Sequence, residues 1–144
     1  MPERDYSQRD VLDKLAIKPG QAVAFAQGAG QVENGLRQRI LARTGRSPAG
    51  PDEAVDIVLA LVDERTDMVA VLRRWKTRLK PDGGIWLLTA KRGYPGYINQ
   101  QALIAAGQEA GVVDNKVCSV STQFSAMRFV IRKAERVASP EPLP

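Results

Sequence analysis

With 144 residues, 44% of them hydrophobic and 26% charged, the chain has the composition of an ordinary globular protein, long enough to bury a core without staples. One cysteine and no histidine exclude an internal disulfide and a Cys/His zinc site, and remove the side chain best suited to proton transfer near neutral pH. The net charge of +5 is uneven: residues 1–72 hold 9 Lys and Arg against 11 Asp and Glu, a balance of −2, and residues 73–144 hold 12 against 5, a balance of +7.

The opening MPERDYSQRD is polar, and no apolar run approaches the ~20 residues of a membrane span, so a cytoplasmic protein with no membrane partner is expected. Ser7 and Asp10 have the spacing of a capping box ahead of Val11, Leu12 and Leu15, which predicts a short helix ending before Lys18. Gln21 to Ala26 reads as the first strand and runs into Gln27, Gly28, Ala29 and Gly30. Val32, Leu36, Ile40 and Leu41 then recur at helical spacing up to Thr44, with Gly45 placed to close the helix. Strand, glycine loop, helix is an order that aims backbone donors and a helix dipole at a phosphate or carboxylate.

After the loop Arg46 to Asp52, the run from Ala54 to Val62 is apolar and rich in β-branched residues, as suits a strand covered on both faces. Met68, Leu72, Trp75 and Leu79 form one stripe, with Arg73, Arg74, Lys76, Arg78 and Lys80 on the remaining surface; this predicts a helix capped by Thr66 and Asp67 and ended by Pro81, Gly83 and Gly84. Ile85 to Thr89 is a second buried strand. Lys91 to Tyr97 is a glycine and proline loop, and Ile98, Ala102, Leu103, Ala106 and Ala110 mark another helix, closed by Gly111. Strands over Lys116–Val120 and Ala126–Arg132 are joined by a link too short for a crossover, so they must be antiparallel. The expected fold is α/β: a single open, mostly parallel sheet of about five strands with a C-terminal antiparallel hairpin, in one domain over residues 1–137, followed by a disordered tail from Ala138.

The stretch RLKPDGGIWLLT resembles the turn and fifth strand of class I, S-adenosylmethionine-dependent methyltransferases, the Asp56 run resembles their fourth strand, and the terminal hairpin their last two. Ala22 to Gly30 falls where that family has its first strand and glycine-rich cofactor loop. There an acidic residue is followed by three alternate glycines; the matching places here are Ala24, Ala26, Gly28 and Gly30. Between Gly30 and Asp56 there is room for one helix and one loop, so the second and third strands are expected to be missing. The resemblance implies a reduced Rossmann-like sheet, and no cofactor, S-adenosylmethionine included, is expected. KPGQ from Lys18, WLLTAK from Trp86 and SAMR from Ser125 resemble a family of short uncharacterised bacterial proteins, a domain of unknown function, which brings no known activity.

Ligands of open parallel sheets sit outside the carboxyl ends of the strands. Three segments should meet there: Gln27 to Gly30, Asp63 to Arg65, and Thr89 to Tyr97. The candidate ligand-binding residues are Gly28, Gly30, Asp63, Lys91, Arg92 and Tyr94, a set able to hold a small anion or nucleotide. Against this, the glycines can serve only a tight turn, Lys91 and Arg92 can be surface cations, and Asp63 and Glu64 the negative start of a helix. Asp63, Glu64, Lys91, Tyr94 and Tyr97 could titrate, but none shows a partner, so no catalytic residue and no metal ligand is assigned. Cys118 reads as a packed thiol, and Trp75 and Trp86 as core.

Three functional readings follow. The first is a noncatalytic, degenerate methyltransferase-like domain that binds a small ligand, or a protein partner or second copy along its edge strand. The second is a small-ligand or nucleotide-binding remnant enzyme using Gly28 to Gly30. The third is nucleic-acid or ribosome association through Arg73 to Arg78 with Lys91 and Arg92.

Overall fold

The computed structural model describes residues 10–26 and 35–132; Ser7, the Gly28 and Gly30 loop and the tail from Ala138 lie outside the described residues. The elements are α1 (Val11–Lys14), β1 (Val23–Ala26), α2 (Leu36–Thr44), β2 (Val55–Leu61), α3 (Met68–Lys76), β3 (Leu79–Ala90), α4 (Gln100–Ala110), β4 (Val112–Ser119) and β5 (Phe124–Ile131). The strands form one open sheet in the order β1-β2-β3-β5-β4. β1, β2 and β3 run parallel, while β5 is antiparallel to both β3 and β4, as the short link required. Among the described residues, β1 and β4 are the edges.

Alternation along β2 divides the core. Val58 and Ala60 join Leu72 and Trp75 of α3 and Leu103 and Ala106 of α4 on one face, whereas Ile57 and Leu59 join Leu12 of α1, Leu15 just after it, and Leu36 and Ile40 of α2 on the other. This two-sided burial is why the β2 and β3 sequences read as continuous apolar runs. It also has a topological consequence. The crossovers β1–α2–β2 and β2–α3–β3 step the same way across the sheet but carry their helices on opposite faces, so they have opposite hand, against a right-handed preference of about 98%.

Several boundaries differ from expectation: β4 begins at Val112 rather than Lys116, and β5 at Phe124 rather than Ala126. Asp10 caps α1, its carboxylate accepting the Leu12 N–H at 2.8 Å. Helix α3 stops at Lys76, and Leu79 begins a strand paired with Val55. Leu79 fills the same core as Leu72 and Trp75 from the strand, which is how it continued a helical stripe in sequence. Pro81, Gly83 and Gly84 therefore lie inside β3, in its outlying first half, and Gly83 passes close under β2: a Cβ there would fall 2.7 Å from the Asp56 carbonyl oxygen. In β4 the register against β5 breaks between Asp114 and Lys116, leaving Asn115 as a bulge.

The start of β1 is held from both sides. Its Ala22 N–H donates to the Asp56 carboxylate at 2.8 Å, which also takes Lys80 at 3.1 Å. On the outer edge the Val23 carbonyl accepts the Ala49 N–H at 2.9 Å, from the loop after α2. That loop is clamped: Arg46 makes paired bonds of 2.6 and 2.7 Å to Glu53, the Gly50 N–H donates to Glu53 at 3.0 Å, and Arg78 donates to the Gly50 and Glu53 carbonyls. Arg78 meanwhile lies 4.9 Å from the centroid of the Trp75 ring.

Candidate functional site

The carboxyl ends of β1 and β2 open onto a cleft of about 830 Å³, with Phe25 and Ala26 at the end of β1, Asp63 and Thr66 on the loop after β2, and Arg74 and Trp75 on α3 among its lining residues. Its size suits a small-molecule site. The loop is a built turn: Asp63 accepts the Arg65 N–H at 2.9 Å and the Thr66 hydroxyl at 3.2 Å, and the Thr66 hydroxyl oxygen takes the Asp63 N–H at 3.0 Å. The helix cap is Asp67, whose carboxylate accepts the Ala70 N–H at 3.0 Å. Asp63 thus shapes the rim one turn ahead of α3, with its carboxylate already engaged.

The third expected segment, Thr89 to Tyr97, does come to this end of the sheet. A Cβ on Gly96 would lie 3.4 Å from Cβ of Asp63, and residues 61–66 with Ala90, Pro95, Gly96 and Phe124 enclose a further hollow of about 480 Å³. Lys91 and Arg92 turn elsewhere. Lys91 Nζ donates to the Ser119 hydroxyl at 2.6 Å, and Arg92 donates to the Tyr97 hydroxyl at 3.4 Å and lies 5.5 Å from its ring centroid. Tyr94 is 39% exposed and lines none of these hollows. Asp63 therefore stands with one group of neighbours, Lys91 and Arg92 with another, while Gly28 and Gly30 fall outside the described residues.

The cations of the basic half are largely engaged in the fold. Arg73 donates to the Glu109 carbonyl at 3.2 Å, Arg74 lies 5.6 Å from the Trp75 ring centroid, and Arg78 and Lys80 make the contacts given above. Cys118 is half-buried, and burial raises its thiol above the ordinary value, outweighing the nearby Lys14 and Lys116. Among the described residues no group of three or more Cys, His, Asp or Glu could hold a metal ion, and no helix is long and apolar enough to cross a membrane.

A doubly covered sheet of this order, with an antiparallel end and its cleft at the carboxyl ends of the parallel strands, is a methyltransferase-like fold. Solved structures agree: a SAM dependent methyltransferase from Aquifex aeolicus superposes with a TM-score of 0.63 at 12% identity, covering 85% of this chain and 88% of that one. The O-methyltransferase NcsB1 from neocarzinostatin biosynthesis also gives 0.63, at 15% identity over 89% of this chain, which spans 54% of that protein. Magnesium protoporphyrin IX methyltransferase (ChlM) from Synechocystis PCC 6803 gives 0.56 at 13% identity over 92% of this chain and 86% of that one. At sequence level, residues 12–133 match the family described as a protein of unknown function (DUF3052), and the chain belongs to that family. No curated protein sequence matches it.

Sequence reasoning missed Asn99, the cap of α4, whose side chain accepts the Gln101 N–H at 2.7 Å, because the helical stripe began at Ile98. It also missed Ser125. Starting β5 at Ala126 hid the alternation that sets Ser125 opposite Thr89.

Proposed function

We propose that this protein is a noncatalytic, methyltransferase-like binding domain, and that its occupant sits in the cleft between Phe25, Asp63 and α3. The observation that supports this reading is the opposite hand of its two crossovers. In a doubly wound sheet the chain travels outward with helices on one face and returns with helices on the other. Removing the outermost strands joins an outward helix, α2, directly to a returning strand, β2, and leaves two crossovers of opposite hand side by side. The clamped loop 46–53 then lies on the flank where a further strand would pair with β1.

That flank is where the methyltransferase resemblance would seat a carboxylate for the ribose hydroxyls, and Ala24 and Ala26 occupy the acidic place and first glycine place of the cofactor loop. A cleft with Asp63, Asp67, Arg65 and Arg74 around a floor of Ala26, Val71 and Trp75 keeps the means to hold a mixed polar and apolar surface. Isothermal titration of the full chain with S-adenosylmethionine and S-adenosylhomocysteine tests the reading. No saturable isotherm up to about 1 mM is expected, whereas a micromolar site, with a binding free energy of about −8 kcal/mol, would saturate well below that concentration. Micromolar binding of either, or methyl transfer to any acceptor, would overturn it.

A further inference from the structure

A separate cavity of about 320 Å³ lies between the sheet and the first turn of α4, where β3 ends and β5 begins. The register Thr89↔Ser125 and Leu87↔Met127 sets the two hydroxyl residues side by side on the face that α4 covers. Thr89 and Thr44 are the two buried polar side chains among the described residues. Thr44 donates to the Leu41 carbonyl at 3.2 Å. Thr89, only 4% exposed, has no hydrogen-bond partner among the described residues, and its hydroxyl is not sealed off but opens on the cavity it lines. A buried hydroxyl left this way is one that a ligand can satisfy.

The charges around it have one sign. Lys91 and Arg92 both line the cavity, and their partners, the Ser119 and Tyr97 hydroxyls, are neutral. Among the described residues no carboxylate lines it. Gln100, the first residue of the 11-residue helix α4, brings the positive end of that helix to the same wall. Opposite the polar groups, Ile98, Leu103 and Met127 supply an apolar floor.

We infer that this cavity binds a small organic anion, a carboxylate or phosphate monoester carried on an apolar body of about one ring. Lys91 and Arg92 take the acid, Thr89 and Ser125 donate to its oxygens, and Leu103 and Met127 take the ring. Each cation exchanges a neutral partner for a charged one, which strengthens the bonds it makes. The inference does not depend on the cleft beside β1, and binding here leaves open whether that cleft holds a cofactor.

The test titrates the full chain with benzoate and phenyl phosphate, with benzyl alcohol and inorganic phosphate as controls, following amide shifts by NMR. At least one of the two acids should bind saturably, with shifts centred on Thr89, Gln100 and Ser125, and benzyl alcohol and inorganic phosphate should bind about tenfold more weakly or worse. Lys91→Met and Arg92→Met should each weaken that acid by about tenfold, and the near-isosteric Thr89→Val by about threefold, with the fold unchanged by circular dichroism. The inference is overturned if neither acid saturates by about 10 mM, roughly the limit of meaningful affinity. It falls equally if the shifts centre on Arg73 and Arg74, if inorganic phosphate binds as tightly as phenyl phosphate, or if both methionine variants bind like the parent.

Discussion

The indole nitrogen of Trp86 lies 3.2 Å from the carbonyl oxygen of Leu15, and both residues are fully buried. Leu15 ends a helix of four residues, far too short to persist alone, and this bond ties that helix to the middle of the sheet. Trp86→Phe removes the donor, leaves a buried carbonyl unsatisfied and opens a void. Chemical denaturation should register a loss of about 2–4 kcal/mol.

Two glycines exist to let side chains pass. A Cβ on Gly84 would fall 2.7 Å from Cζ of Arg128, the residue opposite Trp86, and a Cβ on Gly107 would fall 2.7 Å from Cδ1 of the buried Phe129 ring. An arginine can shift its far end, whereas a ring locked between α4 and the sheet cannot. Gly107→Ala should therefore cost more than Gly84→Ala, each within about 1–3 kcal/mol or somewhat above it. Thermal unfolding of the two variants side by side checks the order.

Acid should loosen the loop beside β1. The Arg46 guanidinium, with help from the Gly50 N–H, lowers the Glu53 carboxyl from 4.5 to about 2. A group whose value is depressed on folding adds stability above its unfolded value and loses it as pH falls through the folded one. The contribution should be complete above pH 4.5 and fade between there and about 2. Melting temperatures of Glu53→Gln and the parent should thus differ near neutrality and converge toward pH 2.

Cys118 should be a slow nucleophile. Its thiol is raised by burial, so the thiolate is scarcer at neutral pH than for a free cysteine. Alkylation by iodoacetamide near pH 7.5 should proceed several-fold more slowly than for the urea-unfolded chain. A folded rate equal to or above the unfolded one would contradict the burial argument.

Much of the architecture was readable because the signals were redundant. β2 and β3 are buried on both faces, so their composition alone marked them, and the short link between β4 and β5 left only one pairing. The end of α3 was not readable. Leu79 serves the same core from a strand that Trp75 serves from a helix, so the apolar period runs on across a change of structure. The site was legible as a region and not as a set of groups. Sequence order brought Asp63 and residues 89–97 to one end of the sheet, but the neighbours each meets there are set by the strands that flank it. Asp63 follows β2 and lines the cleft beside β1 and α3, whereas Lys91 and Arg92 follow β3 and, next to β5, share a cavity with Thr89 and Ser125.

The bulge at Asn115 bears on how these molecules behave when crowded. A long, regular outermost ribbon invites the next molecule to dock alongside and extend the sheet without limit, the first step toward a fibre. Here the ladder of donors and acceptors loses its rhythm halfway along β4, and exposed Lys116 follows directly. The hairpin end thereby discourages indefinite stacking.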